Sequence, residues 1–194
     1  PDIRSGAEAA EYGQELQRIL RYIRASDCNM QDGSLRCDVN ISIRAKGESE
    51  LGTKVELKNL NSFGSVQKSI EFEIERQANL LDKDGHVIQE TRTWDEKENV
   101  TKTMRVKEGA ADYRYFPEPD LPPLQLSQEV LGAWRKELPE LPAEKRLRFE
   151  NNLGLSPYDA FLLADDVTTA NYFDETVAAG ADPKKAANWI MGDM

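Results

Sequence analysis

The sequence is poor in the residues that mark several common kinds of site. Histidine occurs once, at His86, and cysteine twice, at Cys28 and Cys37, which leaves no closely spaced ligands for a structural zinc ion. No apolar run approaches the ~18 residues of a membrane-spanning helix, and no secretory signal is visible. Because the two cysteines have no metal-ligand or redox spacing, we expect a reducing compartment such as the cytoplasm.

Basic residues are too few for broad electrostatic adhesion. The 194 residues include 35 acidic and 25 basic side chains, which gives a formal net charge of −10. This excess of negative charge argues against a surface that binds nucleic acid or anionic membranes over a wide area, although it leaves room for a local basic patch. The length suits one large domain or two small ones.

Familiar motifs of nucleotide and hydrolase sites are incomplete or missing. The segment from Gly47 to Lys54 imitates a phosphate-binding loop, but its Lys and Thr are in reversed order. A strand also follows it where the motif needs a helix. The sequence has no HExxH metal motif and no nucleophile elbow. A catalytic or binding site in this chain therefore has to be sought in a less common arrangement of residues.

The most informative segment is 33–62, where apolar and polar residues alternate. Its first half sets Leu35, Cys37, Val39, Ile41 and Ile43 against Arg36, Asp38, Asn40, Ser42 and Arg44. Its second half, from Thr53 to Asn59, sets Val55 and Leu57 against Lys54, Glu56 and Lys58. Alternation with a period of two predicts two strands of a sheet that is covered on one face.

Helical spacing and capping residues place two helices around this hairpin. The first begins at Ser5 or Gly6 and ends near Ser26, with an apolar side formed by Ala9, Tyr12, Leu16, Ile19, Leu20 and Ile23. The second begins after Asn61-Ser62 and ends at Asp84-Gly85. Its predicted inward stripe is Phe63, Val66, Ile70, Ile74, Gln77, Ala78 and Leu81, and its predicted solvent side is Glu71, Glu73, Glu75 and Arg76.

Two more strands are predicted at 86–94 and 101–106. The resulting order is helix, hairpin, helix, hairpin. This order indicates an α+β fold with a largely antiparallel sheet and helices on one face.

A domain boundary is predicted in the proline-rich segment 115–126, which is held extended and denied a helix. Helix start signals recur after it, at Ser127, Leu141-Pro142, Ser156-Pro157, Thr168 and Asp182-Pro183. The expected core of this part is Phe161, Leu162, Phe173, Val177, Trp189 and Ile190. We therefore divide the chain into residues 1–124 and a small all-helical domain at 125–194.

The polar face of the first hairpin is the leading candidate site. In simple register Asp38 and Asn40 face Glu56 and Lys58, and directly opposed side chains have Cβ atoms ~4.5–5.5 Å apart. Two carboxylates at that range repel unless a cation or proton lies between them. Mg²⁺ suits such oxygen ligands, and Arg36 and Lys58 beside it could meet phosphates. The alternative is a solvated sheet face held by ordinary salt bridges.

A second candidate is the segment from Met104 to Asp120, in which basic and acidic residues crowd around Tyr113, Tyr115 and Phe116. It is too aromatic for a flexible linker and is interpreted as an ordered loop. Arg105 or Arg114 could offer a guanidinium to an anionic group. The alternative is a packed connector with charges at its rim.

At these residues the chain resembles a known family. The segments GSLRCDVNISIR, GTKVELKNLNSF, QETRTWDE, MRVKEGAADYRYFPEPDLPPL and NWIMGDM are similar to the B subunit of the aspartyl/glutamyl-tRNA amidotransferase. The resemblance covers essentially the whole chain. It implies that residues 1–124 are part of a cradle domain related to glutamine synthetase and that 125–194 begin a helical domain.

The resemblance also implies a task. The cradle of this family uses ATP to phosphorylate the side-chain carboxylate of glutamate or aspartate that is mischarged on tRNA(Gln) or tRNA(Asn). Ammonia from the A subunit, a glutaminase, then displaces the phosphate, and a C subunit completes the assembly. The protein would be located in the cytoplasm, or in an organellar matrix or stroma if the source is eukaryotic.

The implied site residues fall on the motifs quoted above. Asp38 of the SLRCD motif is the implied Mg²⁺ ligand, and Glu56 is the candidate second ligand. Arg36, Lys58 and Arg105 are the expected catalytic phosphate partners. Lys58, Arg105 and Arg114 are the expected residues that bind the nucleotide.

Two expectations concern the ends of the chain, which starts at Pro1. The family's N-terminal half of the cradle, with a His and a Glu for the metal site, and its C-terminal tail domain have no counterpart here. We expect a fragment that binds MgATP weakly and does not transamidate by itself.

Two other functions stay open at this point. One is a non-catalytic module for tRNA binding or assembly, in which the polar hairpin face is an interface. The other is a small-molecule carboxylate–amine ligase that acts on free glutamate.

Overall fold

The computed structural model describes residues 2–106 and 118–193. Packing divides the chain into two compact units. Unit 1 combines Pro1–Glu15 with Cys28–Pro117, and unit 2 combines Leu16–Asp27 with Glu118–Met194. The division therefore falls within the first helix, α1 (Gly6–Tyr22). The domain boundary between residues 124 and 125 stays a prediction.

Unit 1 contains two hairpins joined by a long helix. β1 (Cys37–Ile41) and β2 (Val55–Leu60) form the first, α2 (Phe63–Leu81) follows, and β3 (Glu90–Asp95) and β4 (Val100–Val106) form the second. The predicted order of elements and the α+β class are confirmed. The third strand starts later than expected, because residues 86–89 are not part of the sheet.

The sheet is mixed, and two of its three strand pairings are antiparallel, as the sequence predicts. Its strand order is β1-β2-β3-β4, with antiparallel pairing inside each hairpin and parallel pairing between β2 and β3. The parallel pair arises because α2 returns the chain along the sheet, so that β3 enters it in the same direction as β2. Alternation along a strand cannot reveal this direction, so the sequence did not predict the one parallel pairing.

One face of the sheet is covered by α2. Ser62 caps this helix by accepting a hydrogen bond from the Ser65 amide at 3.0 Å. The core between helix and sheet consists of Val55, Leu57, Leu60, Val66, Ile70 and Trp94. Phe72 packs edge-to-face against Trp94, with ring centroids 6.2 Å apart. The apolar side of the predicted hairpin is therefore the covered side.

α2 buries a more polar stripe than the sequence predicts. Its buried residues are Ser65, Val66, Ser69, Ile70, Glu73 and Gln77. Glu73, expected on the solvent side, has 0% exposure, whereas Leu81, expected inside, is exposed. The reason lies in β3 and β4, which present Arg92 and Thr101 to Glu73 from the covered face of the sheet.

Unit 2 contains α3 (Gln128–Glu137), α4 (Pro142–Leu153), α5 (Pro157–Leu163), α6 (Val167–Ala178) and α7 (Pro183–Asp193). The predicted starts at Ser127, Leu141-Pro142, Ser156-Pro157 and Asp182-Pro183 are confirmed. Asp166 rather than Thr168 caps α6, by accepting hydrogen bonds from two backbone amides. No helix in the described ranges is long and apolar enough to cross a membrane.

The core of unit 2 differs in part from the predicted one. It consists of Phe149, Leu155, Ala160, Leu163, Ala164, Phe173, Ala186, Ala187 and Ile190, with Val177 packed against it. Phe161, Leu162 and Trp189 were expected inside but are exposed, Trp189 at 68%. In α5 the inward positions are Ala160 and Leu163, which are three residues apart, so that the two residues between them turn outward.

Candidate functional site

The open face of the sheet in unit 1 carries a polar row that crosses all four strands. Asn40 on β1 pairs with Glu56 on β2, Glu56 pairs with Thr91 on β3, and Thr91 pairs with Arg105 on β4. Residues paired across neighbouring strands point to the same face. The row therefore contains one predicted ligand, Glu56, and one predicted phosphate partner, Arg105.

Asp38 lies on the same open face and shares an ammonium group with Glu56. Lys58 Nζ lies 3.3 Å from Asp38 Oδ2 and 3.4 Å from Glu56 Oε1. The hydrogen bond with Asp38 and the negative charges of Asp38 and Glu56 raise the pKa of Lys58 above its ordinary value. The structure thus brings together the three hairpin residues that the sequence singled out, and it places a positive charge between the two carboxylates.

A β-bulge sets this geometry. Cys37 pairs with Leu60 and Val39 pairs with Leu57, so that Lys58 and Asn59 together oppose Asp38. Asn59 has φ 61°, a left-handed conformation that Asn adopts more readily than most residues. Because of the bulge, Lys58 lies on the open face of the sheet and Leu60 on the covered face, and the strand bends at the site. Asn59 Nδ2 also donates to Thr93 Oγ1 at 3.2 Å, which links β2 to β3.

Thr91 is a site residue that the sequence reasoning missed. Its hydroxyl donates a hydrogen bond to Glu56 Oε2 at 2.9 Å, and the residue is buried. This bond leaves Glu56 Oε1 directed toward Lys58. The signal was present in the alternation of Thr91 and Thr93 within QETRTW, but only the parallel pairing of β2 with β3 brings Thr91 beside Glu56.

The remaining predicted residues are less closely gathered. Arg36 is exposed just before β1, with its guanidinium beside the turn at Gly33. Arg105 is exposed on β4, two strands from Glu56, a backbone spacing of ~10 Å. Arg114 lies outside the described residues, as does most of the aromatic segment around it.

The donor set suits a hard divalent cation but is incomplete. Asp38 and Glu56 offer carboxylate oxygens on one face, with the amide of Asn40 in the same row, and these are ligands that Mg²⁺ accepts. Within residues 2–106 and 118–193, no group of three or more His, Cys, Asp or Glu side chains could hold a metal ion. Asp38 and Glu56 therefore fit as two ligands of a site that needs further ligands.

The fold and the site together define the class of this chain. It is an α+β unit with a mixed four-stranded sheet. A helix covers one face of the sheet, and the other face carries paired carboxylates around a lysine. The GatB/GatE catalytic domain matches residues 1–132. The chain belongs to this family, and the resemblance seen in its sequence is confirmed.

Curated relatives are similar in sequence to this chain over its full length. It is 61% identical over 194 residues to the B subunit of the aspartyl/glutamyl-tRNA(Asn/Gln) amidotransferase of Synechococcus elongatus. The proteins of the same name from Trichodesmium erythraeum and Thermosynechococcus vestitus are 58% and 61% identical over the same 194 residues. The chain spans 39% of the length of each of these relatives.

Proposed function

We propose that this chain contains part of the catalytic domain of the B subunit of a tRNA-dependent amidotransferase. The observation that carries the proposal is the Asp38–Lys58–Glu56 cluster, which lies on one open sheet face within the part of the chain that matches the GatB/GatE catalytic domain. The mixed sheet with one helix-covered face is compatible with part of a cradle related to glutamine synthetase.

The proposed reaction has two stages. ATP first phosphorylates the side-chain carboxylate of Glu-tRNA(Gln) or Asp-tRNA(Asn), and ammonia then displaces the phosphate to form the amide. A glutaminase A subunit would supply the ammonia, and a C subunit would complete the complex. The names of the relatives, which join an aspartyl/glutamyl-tRNA substrate to amidotransferase activity, support this assignment.

Asp38 and Glu56 would hold Mg²⁺ together with ligands from elsewhere in the complete protein. When bound, the ion would offset charge on the transferring phosphoryl group. Thr91 orients Glu56 through the hydrogen bond to Oε2, and the other carboxylate oxygen lies 3.4 Å from Lys58 Nζ. This pre-set orientation on adjacent strands provides the rigidity that phosphoryl transfer requires.

The positive side chains have the task of binding and orienting phosphate oxygens. Lys58 is a point charge at the centre of the cluster, whereas Arg105 can bind an anion through two nitrogens from the far end of the row. Arg36, before β1, could reach the same ligand from the hairpin side. Arg114 is proposed as a further nucleotide contact on the strength of the sequence alone.

The deciding experiment compares Asp38→Asn with the wild type in the full-length gene product assembled with its partner subunits. We expect ATP-dependent phosphorylation of the amino-acid carboxylate on the mischarged tRNA to fall by about 10²–10³-fold. This is the effect typical of losing one electrostatic contact to the transition state. Binding of the tRNA should be retained. Asp95→Asn is the matched control, because Asp95 is a carboxylate of β3 on the same sheet face that pairs with Lys102.

Other outcomes identify the competing functions. A loss of tRNA affinity in Asp38→Asn, with no phosphorylation in the wild type, would show a binding or assembly module. Activity of the wild type on free glutamate without tRNA would show a small-molecule ligase.

A further inference from the structure

Lys58 occupies the place between the two carboxylates where a cation is expected. Its ammonium lies within 3.4 Å of an oxygen of Asp38 and an oxygen of Glu56, and its side chain is 34% exposed. The bulge at Asn59 directs it there by setting Lys58 opposite Asp38. The carboxylates therefore already have a positive partner that belongs to the protein.

We propose that Lys58 competes with the divalent cation for Asp38 and Glu56 and that its ammonium must leave before the cation can bind. This inference rests on the proposed function of the site. Mg²⁺ held by Asp38 and Glu56 would need the carboxylate oxygens that Lys58 Nζ now contacts at 3.3 and 3.4 Å. Two positive charges that share the same carboxylates repel each other, so the ammonium would have to move.

The chemistry of lysine allows this movement. The ammonium is a compact charge on a flexible stem of four carbons, and Lys58 is partly open to solvent. Glu56 is less free to follow, because Thr91 holds its second oxygen. The exchange therefore moves the lysine while the carboxylate keeps its orientation.

The exchange gives Lys58 a different task in each state. Without the cation, its ammonium offsets the repulsion between Asp38 and Glu56 and keeps the two carboxylates gathered. With the cation bound, the released ammonium stays tethered beside the site and can contact an anionic group on that cation. The cation alone is then bound weakly, and the cation with a polyphosphate is bound more strongly.

The test measures binding of Mn²⁺, as a spectroscopic substitute for Mg²⁺, to the full-length gene product by electron paramagnetic resonance. Lys58→Met should bind Mn²⁺ alone about 3- to 10-fold more tightly, the size expected from the loss of two partly exposed ion pairs. The same variant should bind the Mn²⁺–ATP complex more weakly than the wild type. Lys58→Gln gives a second neutral variant, and circular dichroism checks that each is folded.

Lys102→Met is the matched control. Lys102 lies in the same row across the sheet as Lys58, through Thr93, and its ammonium also bridges two carboxylates, Asp95 at 2.8 Å and Glu98 at 2.9 Å. Its removal should leave Mn²⁺ affinity at the Asp38 site unchanged. An equal gain in both variants would mean a general effect of net charge and would overturn the inference.

Asp38→Asn separates this inference from the proposed function. If Mn²⁺ binding by the wild type is unaffected by Asp38→Asn, the proposed cation site is wrong and the inference falls with it. If Asp38→Asn weakens Mn²⁺ binding while Lys58→Met leaves it unchanged or weakens it, only the inference is overturned. Lys58 would then be a fixed structural partner of the carboxylates.

Discussion

Glu73 shows how a single residue of α2 joins helix and sheet. The side chain is fully buried and accepts hydrogen bonds from Arg76 Nε at 3.0 Å, Gln77 Nε2 at 3.1 Å and Thr101 Oγ1 at 3.1 Å. Arg92, which belongs to the sheet, adds an ion pair, because its Nε lies 3.7 Å from Glu73 Oε2. A buried carboxylate with this many partners is stable only as a complete network.

Replacing Glu73 with alanine should therefore be costly. We expect Glu73→Ala to lower the local free energy of unfolding of α2 by about 3–5 kcal/mol, because Arg92 and Arg76 would keep largely buried positive charge with Glu90 alone to pair with both of them. Peptide-resolved hydrogen exchange measures this local free energy. Glu75→Ala on the exposed side of the same helix is the control and should change it by less than about 0.5 kcal/mol. Equal effects would show that the Glu73 network does not stabilise the fold.

Among the secondary-structure elements, α1 packs against α2 through glycines. A Cβ on Gly6 would lie 2.5 Å from the backbone oxygen of Gln67, and one on Gly13 would lie 2.6 Å from the ring of Phe63. Tyr12, which belongs to the apolar side predicted for α1, is instead 63% exposed. The two helices meet at glycines of α1, which have no side chain. Counting apolar residues therefore cannot predict this contact.

Gly6→Ala should weaken this helix contact. The new Cβ would meet backbone, which yields less easily than a side chain, so we expect a loss of about 1–3 kcal/mol in the local stability of α1. Gly132→Ala in α3 is the opposite case, because its Cβ would meet no heavy atom within 4 Å in the described part of the chain, leaving out its own helix backbone. Helix propensity alone should then stabilise α3 by up to about 1 kcal/mol. Hydrogen exchange of peptides from α1 and α3 measures both changes, and a gain for Gly6→Ala would contradict the close contact.

At the scale of the whole molecule, burial within residues 2–106 and 118–193 is concentrated in two cores. One surrounds Leu57 between α2 and the sheet, and the other surrounds Leu163 among the helices of unit 2. The two clusters share no residue. Stability at one core should therefore depend little on substitutions in the other.

Leu57→Ala and Leu163→Ala test this independence. Both side chains are fully buried, so each substitution should cost about 2–5 kcal/mol in its own core. Hydrogen exchange should accelerate in α2 and β2 for Leu57→Ala and in α5 and α6 for Leu163→Ala. The double variant should show the sum of the two effects. Accelerated exchange throughout the chain in either single variant would mean that the two units unfold together.

Much of the fold and part of the site could be predicted because their causes are local. Alternation marked both strands of the first hairpin, and Ser62 and Ser127 marked helix starts, since neighbours in sequence decide these features. The shared face of Asp38 and Glu56 could be predicted for the same reason, although the bulge opposite Asp38 could not. The roles of these residues in catalysis stay predictions.

The family was indicated by the resemblance of long sequence motifs, whereas residue types at short spacing were enough to establish the α+β class and the polar face of the hairpin. Long-range packing was needed to establish that β3 runs parallel to β2, that Thr91 supports Glu56 and that Lys58 lies between two carboxylates. The burial of Glu73 also emerged only from that packing. These features depend on the direction in which distant segments meet, and periodicity within one segment carries no information about its neighbours in space.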